Sequence, residues 1–278
     1  MPELPEVETT MRGMSPLVGS IVTEVIIRHP TLRWPIPSEL LQCLPHATLR
    51  TLTRRAKYIL AEFSDAHDQF LGTLILHLGM SGRICLLEKN EPAAKHDHFE
   101  IHFAGGQLFR LRDPRRFGAV LWVDAKDRVG NHPLIKSLGP EPLQQSFTGD
   151  YLYQQMRTRT APIKTTIMDG HLVVGVGNIY ASESLFRARI NPKTAANKVS
   201  RAKCERLVEE IKATLAAAIE AGGSSLRDFF GADGNPGYFQ QTYFVYGRTG
   251  EACRVCSSPI KQIKQGQRST FYCPECQR

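Results

Sequence analysis

Cys253-Arg254-Val255-Cys256-Ser257-Ser258-Pro259-Ile260-Lys261-Gln262-Ile263-Lys264-Gln265-Gly266-Gln267-Arg268-Ser269-Thr270-Phe271-Tyr272-Cys273-Pro274-Glu275-Cys276 holds four of the seven cysteines of this 278-residue chain. The stretch reads C-x2-C, sixteen residues, C-x2-C. Each knuckle offers two thiolates to one tetrahedral ion, and the spacer suits a β-hairpin that returns the second knuckle to the first. With four sulfur ligands no position stays open for water, so the pattern predicts one structural Zn2+ and not a catalytic metal. In a reducing compartment four such thiols bind metal instead of pairing as disulfides. Cys43, Cys85 and Cys204 are scattered and read as small core residues.

Upstream of the hairpin the pattern turns helical. Cys204, Leu207, Val208, Ile211, Leu215 and Ile219 recur at helical intervals, Ser200 suits the N-cap, and Gly222-Gly223 supplies the stop. Residues 224–241, rich in glycine and aromatics, read as a loop. From about Ile21 to Val123 the chain is strand-like, with runs such as Tyr58–Phe63, Leu74–Leu78 and Ala119–Val123 bounded by Gly, Asp and Pro. A short helix precedes them: Pro5 suits its first turn, and Leu4, Val7 and Met11 share one face up to Gly13. Gly139-Pro140-Glu141-Pro142 breaks both periods. The expected organisation is therefore α+β. A β-rich domain covers residues 1–132, a linker 133–150, a helical domain 151–243 and the zinc hairpin 244–278.

Composition excludes several classes. Hydrophobic residues make up 42% and charged residues 22%, which rules out wholesale disorder. No apolar run approaches the ~18 residues of a membrane helix, and the acidic, proline-rich start is unlike a signal peptide, so the expectation is a cytoplasmic protein. The net charge is +8, and it is unevenly spread. Residues 1–150 carry 17 basic and 17 acidic side chains, while residues 151–278 carry 18 and 10. Such asymmetry fits a polyanionic partner engaged mainly by the second half, or simply a basic protein with no such partner.

The N-terminus carries chemistry on one condition. If Met1 is removed, Pro2 presents a free secondary amine, and an α-amine with a pKa of about 7.7–8.0 is partly neutral at working pH. Attack on an aldehyde-like carbon would give an iminium directly, an electron sink for neighbouring C–O bonds. Glu3 and Glu6 stand beside it as candidates for proton transfer. Taken alone, Pro-Glu-x-Pro-Glu is an ordinary helix start.

Six ordered blocks alter that balance. Pro2-Glu3-Leu4-Pro5-Glu6-Val7-Glu8-Thr9 resembles the opening of the formamidopyrimidine-DNA (8-oxoguanine-DNA) glycosylase family of bacteria. Arg54-Arg55-Ala56-Lys57-Tyr58, His77-Leu78-Gly79-Met80-Ser81-Gly82 and Asp113-Pro114-Arg115-Arg116-Phe117-Gly118 resemble its later blocks in the same order. So do Val174-Gly175-Val176-Gly177-Asn178-Ile179-Tyr180 and Gln267-Arg268-Ser269-Thr270-Phe271-Tyr272-Cys273. The resemblance spans essentially the whole chain.

It implies an N-terminal β-sandwich with an N-terminal helix, then a helix–two-turns–helix domain and a zinc finger, with DNA in the cleft between the two domains. It also implies base-excision repair: Pro2 attacks C1′ of an oxidised purine nucleotide, expels the base, and strand cleavage follows by β,δ-elimination. Glu3 would donate a proton at the sugar ring. Glu6 would orient Glu3 or satisfy helix-start amides, and both roles stay open. Lys57, expected on a strand sharing a face with Ile59, Ala61 and Phe63, would contact phosphate and assist β-elimination. Arg268 would clamp the phosphates beside the lesion and serve δ-elimination. His96, Arg115, Arg159 and Asn178 match DNA-contacting positions, and Met80, Arg115 and Phe117 match positions that fill the void left by an extruded base. The loop 224–241 would cap the lesion. Cys253, Cys256, Cys273 and Cys276 would hold the zinc; zinc at His96 is the lesser reading, since the cysteines already account for one ion.

The expected partner is double-stranded DNA containing an oxidised purine, met by a monomer in the cytoplasm and, when bound, at the nucleoid. Two rivals remain. One is an endonuclease VIII-like enzyme for oxidised pyrimidines, which typically has Gly where this chain has Leu4; the other is a non-catalytic DNA-binding module. Met11 and Gly170-His171 depart from the residues common in relatives. A chain retaining Met1 would lack the proline amine.

Overall fold

The computed structural model describes residues 2–88, 90–224 and 238–278, with Gln240 and Gln241 described by backbone alone. Met1 and most of the loop expected to cap the lesion lie outside the described residues. The chain forms two compact units, the first built on the chain up to Lys136, the second on Ser137–Glu220 and Phe239–Arg278; Ala221–Ser224 and Tyr238 belong with the first.

The first unit opens with α1 (Leu4–Gly13), started by Pro5 and by a capping box in which the Glu6 carboxylate accepts the Glu3 N–H at 2.9 Å. Leu4, Val7 and Thr10 turn inward, and Glu8 joins Arg54 at 2.8 Å, fastening the helix to the second strand. After β1 (Val22–Ile27) and the single turn α2 (Leu40–Cys43) come β2 (Thr48–Arg55), β3 (Tyr58–Ser64), β4 (Phe70–His77), β5 (Arg83–Glu88), β6 (Asp97–Phe103), β7 (Gln107–Arg112) and β8 (Ala119–Asp124). They pair antiparallel into two four-stranded sheets ordered β1-β6-β7-β5 and β2-β3-β4-β8. Phe63, Leu74 and Leu76 of one sheet and Phe99, Ile101 and Phe109 of the other belong to one buried cluster, each side chain contributing about 1.5–3 kcal/mol by leaving water. This is the expected β-sandwich.

One end of the β6–β7 pair is ionic. Glu100, fully buried, accepts from Nε of both Arg28 and Arg110 at 2.8 Å, and Asp97 accepts from Arg112 at 2.6 and 3.0 Å. Burial alone would raise both carboxyls, but the guanidinium bonds hold them below the usual carboxylate range. Arg110 also donates to the carbonyls of Pro92 and Glu91, pinning the loop that leads to His96.

The second unit carries α3 (Gly149–Met156), α4 (Ile163–Ile167), α5 (Asn178–Arg187), α6 (Arg201–Glu220) and the hairpin β9 (Lys261–Gln265)–β10 (Arg268–Tyr272). Ser200 caps α6 by accepting the Lys203 N–H at 3.3 Å, and Cys204, Leu207, Val208, Ile211 and Leu215 form its buried face. Residues ahead of α3 pack into this unit: the Gly139 N–H donates to Gly170 O and the Val174 N–H to Pro140 O. Glu183 of α5 accepts the N–H groups of Phe244, Val245 and Tyr246 at 2.8–3.0 Å, tying the helix to the approach of the hairpin. Burial pushes this carboxyl up, opposed by those three amides. Among the described residues no helix is long and apolar enough to cross a membrane.

Candidate functional site

At the head of α1 Pro2 and Glu3 are both buried, Glu3 occupying the N-cap with extended backbone. Glu6 is wholly buried and its two oxygens are divided: Oε2 accepts the Glu3 N–H, and Oε1 accepts the Ser224 N–H at 2.8 Å. The bond to the Glu3 N–H is common to both roles left open for Glu6, orienting Glu3 and satisfying a helix-start amide. The second amide belongs to Ser224, the last described residue before position 225.

Lys57 departs from expectation. It lies in the two-residue turn between β2 and β3, with Arg55 paired to Tyr58 across it, and not on a strand beside Ile59, Ala61 and Phe63. Ala56 takes φ +54, which makes so tight a turn possible without glycine. This placement brings Lys57 into the electrostatic neighbourhood of His77, a residue that motif reading quoted but gave no role. His77 faces Tyr58 across the β3–β4 ladder, ring centroids 4.9 Å apart, and its Nδ1 accepts the Gly79 N–H. Burial, then the positive charges of Lys57 and Arg33, push His77 down to about 4, so its ring is neutral at pH 7.

Past His77 the chain makes a tight turn, Gly82 N–H to Leu78 O, that presents Met80 at 39% exposure. A second loop, 113–118, presents Phe117 at 44%, with the Arg115 guanidinium 4.8 Å over its ring. Arg116 between them has φ +55, a conformation costing a non-glycine residue on the order of 1–3 kcal/mol. His96 is half-buried and its carbonyl accepts the Asp113 N–H, so it stands at the base of the same loop. Met80, Arg115, Phe117 and His96 therefore belong to one neighbourhood of the first unit.

In the second unit, Gly175 (φ +79) leads into Asn178, the first residue of α5. The Asn178 Oδ1 accepts from Lys164 Nζ at 2.5 Å, and the same ammonium donates to Thr270 Oγ1 at 2.7 Å and to Ser269 O at 3.0 Å. Lys164 is 1% exposed and had no place in the sequence reading. Arg268 opens β10 and is exposed, next to a two-residue turn in which Gly266 (φ +52) and Gln267 (φ +63) are both left-handed, the geometry of a tight hairpin. Arg159 is held at 2.8 Å by Asp169, and although burial opposes it, that guanidinium keeps Asp169 below the usual range.

The four thiols fit one tetrahedral ion. A Zn–S bond near 2.3 Å implies sulfurs about 3.8 Å apart. Cys253 and Cys276 stand at 3.9 Å, Cys256 and Cys273 at 3.4 Å, and all four sulfurs lie within 4.8 Å of one another. The Val255 and Cys276 N–H groups point at Cys253 and Cys273 sulfur, as knuckles require. Burial and the neighbouring sulfurs push Cys276 up to about 12, while hydrogen bonds from Ser258 pull Cys256 down to about 6. A bound dication removes that conflict by favouring four thiolates at once. Among the described residues no other group of His, Cys, Asp or Glu is assembled in this way, His96 included.

Comparison with known families covers the chain from end to end. Residues 1–120 match the formamidopyrimidine-DNA glycosylase N-terminal domain, residues 138–230 the formamidopyrimidine-DNA glycosylase H2TH domain, and residues 250–278 the zinc finger found in FPG and IleRS. The chain belongs to the formamidopyrimidine-DNA glycosylase family. A formamidopyrimidine-DNA glycosylase of Methylobacillus flagellatus is 64% identical over 278 residues, covering all of this chain and 97% of that protein. One from a Janthinobacterium strain is 57% identical with both chains fully covered. Among solved structures, a Lactococcus lactis FPG variant in complex with Fapy-dG containing DNA superposes with TM-score 0.91 at 35% identity, both chains fully covered. MutM in complex with DNA containing carbocyclic 8-oxo-G does so with TM-score 0.89 at 34% identity, again over both full chains.

The two departures from the usual family residues have local accounts. Met11 packs against the sandwich core. His171 donates its backbone N–H to Asp169, its ring Nδ1 meets Ser137 O at 2.8 Å, and the Gly170 carbonyl receives Gly139 N–H.

Proposed function

We propose that this chain performs base-excision repair on duplex DNA, as a bifunctional glycosylase and abasic-site lyase for oxidised purines such as 8-oxoguanine and formamidopyrimidines. The observation that carries the reading is the three family domains matched in order along a chain its relatives cover in full, with Pro2 and Glu3 together at the buried head of α1. The chemistry follows from a secondary amine. After removal of Met1, the neutral Pro2 nitrogen attacks C1′, the glycosidic bond breaks, and the base leaves with a proton. Glu3 protonates the ring oxygen as the sugar opens, leaving an iminium on Pro2. That electron sink acidifies C2′–H, so the 3′ phosphate is eliminated and the 5′ phosphate follows.

Lys57, in its turn beside neutral His77, contacts phosphate and helps carry the C2′ proton away. Arg268, on a hairpin held by Lys164, clamps phosphate through its planar fork and serves the second elimination. His96, Arg115, Arg159 and Asn178 contact the duplex. Met80, Arg115 and Phe117 occupy the place of the extruded base, offsetting the few kcal/mol that extrusion costs. Zinc, held by the four cysteines, fixes the hairpin geometry. One chain carries every group named, so a monomer suffices, working in the cytoplasm at nucleoid DNA.

The test is borohydride trapping on a duplex with one 8-oxoguanine opposite cytosine, followed by intact mass and peptide mapping. An adduct on Pro2 of Met1-free protein is expected. Trapping only on a thymine-glycol duplex would move the assignment to oxidised pyrimidines. No adduct there or on a preformed abasic site would leave a protein that binds without cutting.

A further inference from the structure

We propose that Ser81 and Asp113 are positioning residues that lock the Met80 turn and the Arg115–Phe117 loop into one rigid wedge. The inference rests on the reading of Met80, Arg115 and Phe117 as the groups that take the place of the extruded base.

The two loops are 32 residues apart in sequence and meet at one carboxylate. Asp113 has no exposed surface. Its Oδ1 accepts the Ser81 hydroxyl at 2.7 Å and its Oδ2 accepts the Gly118 N–H at 2.8 Å. The Ser81 oxygen in turn accepts the Arg115 N–H at 3.1 Å, so this one hydroxyl both donates and accepts across the junction. The backbone of Asp113 is engaged as well: its carbonyl accepts the Arg116 N–H and His98 Nε2–H, and its N–H donates to the His96 carbonyl.

The backbones themselves touch. A Cβ on Gly79 would fall 2.4 Å from the Phe117 carbonyl carbon, and one on Gly118 would fall 2.7 Å from His77 O. Gly79 (φ +62) and Gly118 are thus required by the close approach of the loops. Arg116, left-handed at φ +55, is a strained residue of the kind that persists only where its surroundings over-determine it. Asp113 does so from both ends, holding Arg116 N–H on its carbonyl and Gly118 N–H on its carboxylate. The outcome is a buried base (Ser81 8% exposed, Asp113 0%) under two exposed apolar tips, Met80 and Phe117. Loops ordered in advance have no conformational entropy left to lose when they enter a base stack, so the polar junction acts on the extrusion step and not on the chemistry at C1′.

Ser81→Ala removes both bonds of the hydroxyl with little change in volume. Single-turnover excision of 8-oxoguanine paired with cytosine is expected to slow about tenfold, from two hydrogen bonds each worth about threefold. Cleavage of a preformed abasic site in single-stranded DNA, where no paired base is displaced, is expected to be unchanged. Asp113→Asn, which keeps an acceptor for Gly118 N–H but not for the Ser81 hydroxyl, should show the same selective loss. In a Phe117→Ala background Ser81→Ala should add no further loss. Equal losses on both substrates would mean a merely structural role, and no loss on the duplex, or full additivity with Phe117→Ala, would equally overturn the proposal. If Phe117→Ala alone leaves duplex excision intact, the wedge reading itself fails, and the coupling fails with it.

Discussion

Lys164 shows how a buried residue can position two others for which a role on DNA is proposed. An ammonium carries three protons, and here Asn178 Oδ1, Ser269 O and Thr270 Oγ1 accept from it, which is the condition for burying a charge without prohibitive cost. With its Oδ1 bound to the ammonium, the Asn178 amide is fixed in orientation, and the strand opened by Arg268 is tied to the same point. Lys164→Met would leave buried acceptors without donors at about 1–3 kcal/mol each. The expected result is a lower unfolding midpoint together with weaker binding to an abasic-site duplex, checked by denaturant melts and titration. His77 gives a residue-scale prediction with a definite sign. Its ordinary value of 6.5 falls to about 4 in the folded chain, so the unfolded state binds more protons in between. Its contribution to stability is fully present above pH 6.5 and is lost as pH falls through about 4. Urea midpoints measured from pH 7 to pH 4 should decline across that window. His77→Asn, which keeps an acceptor for Gly79 N–H, should flatten the decline; an unchanged slope would show that other groups are responsible.

At the scale of elements, the zinc hairpin makes the strongest claim on stability. Its knuckles, the left-handed Gly266-Gln267 turn and the Lys164 contacts hold Arg268 in place, and a structural zinc site contributes its binding energy to folding. Stripping the metal with a chelator should release one zinc per chain and abolish strand cleavage. The β-sandwich, whose core lies in the other unit, should keep its far-UV signal; coincident loss of that signal would contradict this independence. The same elements indicate what a sequence discloses. The hairpin, α1 and α6 were legible because their signals are local: knuckle spacing, Pro5 at a helix start, Ser200 as a cap. The Lys57 turn was not, because Arg54–Phe63 contains no glycine, proline or asparagine, and Ala56 adopts φ +54 only because the sheet on either side enforces it. The Ser81–Asp113 junction is a contact between distant positions that no periodicity announces. Lys164 was invisible for a third reason: lysine is almost never fully buried, so burial cannot be inferred from its type.

For the whole molecule, the decisive quantity is how its charge meets a polyanion. The excess of +8 resides in residues 151–278, yet the cations proposed to meet the duplex come from both units: Lys57 and Arg115 in the first, Arg159 and Arg268 in the second. Each phosphate neutralised releases condensed counterions, so four such contacts imply a slope of about −3 to −4 in log K against log salt for duplex binding. The four are not equivalent. Arg268 is exposed, so Arg268→Ala should reduce the slope by about one. Arg159 is already partnered by Asp169 at 2.8 Å, and part of its charge is spent on that carboxylate in the free protein. Arg159→Gln should therefore weaken binding yet reduce the slope by less than Arg268→Ala does, and Asp169→Asn should steepen it by releasing the guanidinium to the DNA. Affinities measured between low and physiological salt for these three variants separate the cases. A slope near zero in the unaltered protein would mean that binding does not run through phosphate at all. Equal changes for Arg159 and Arg268 would mean that the Asp169 pair opens whenever DNA arrives.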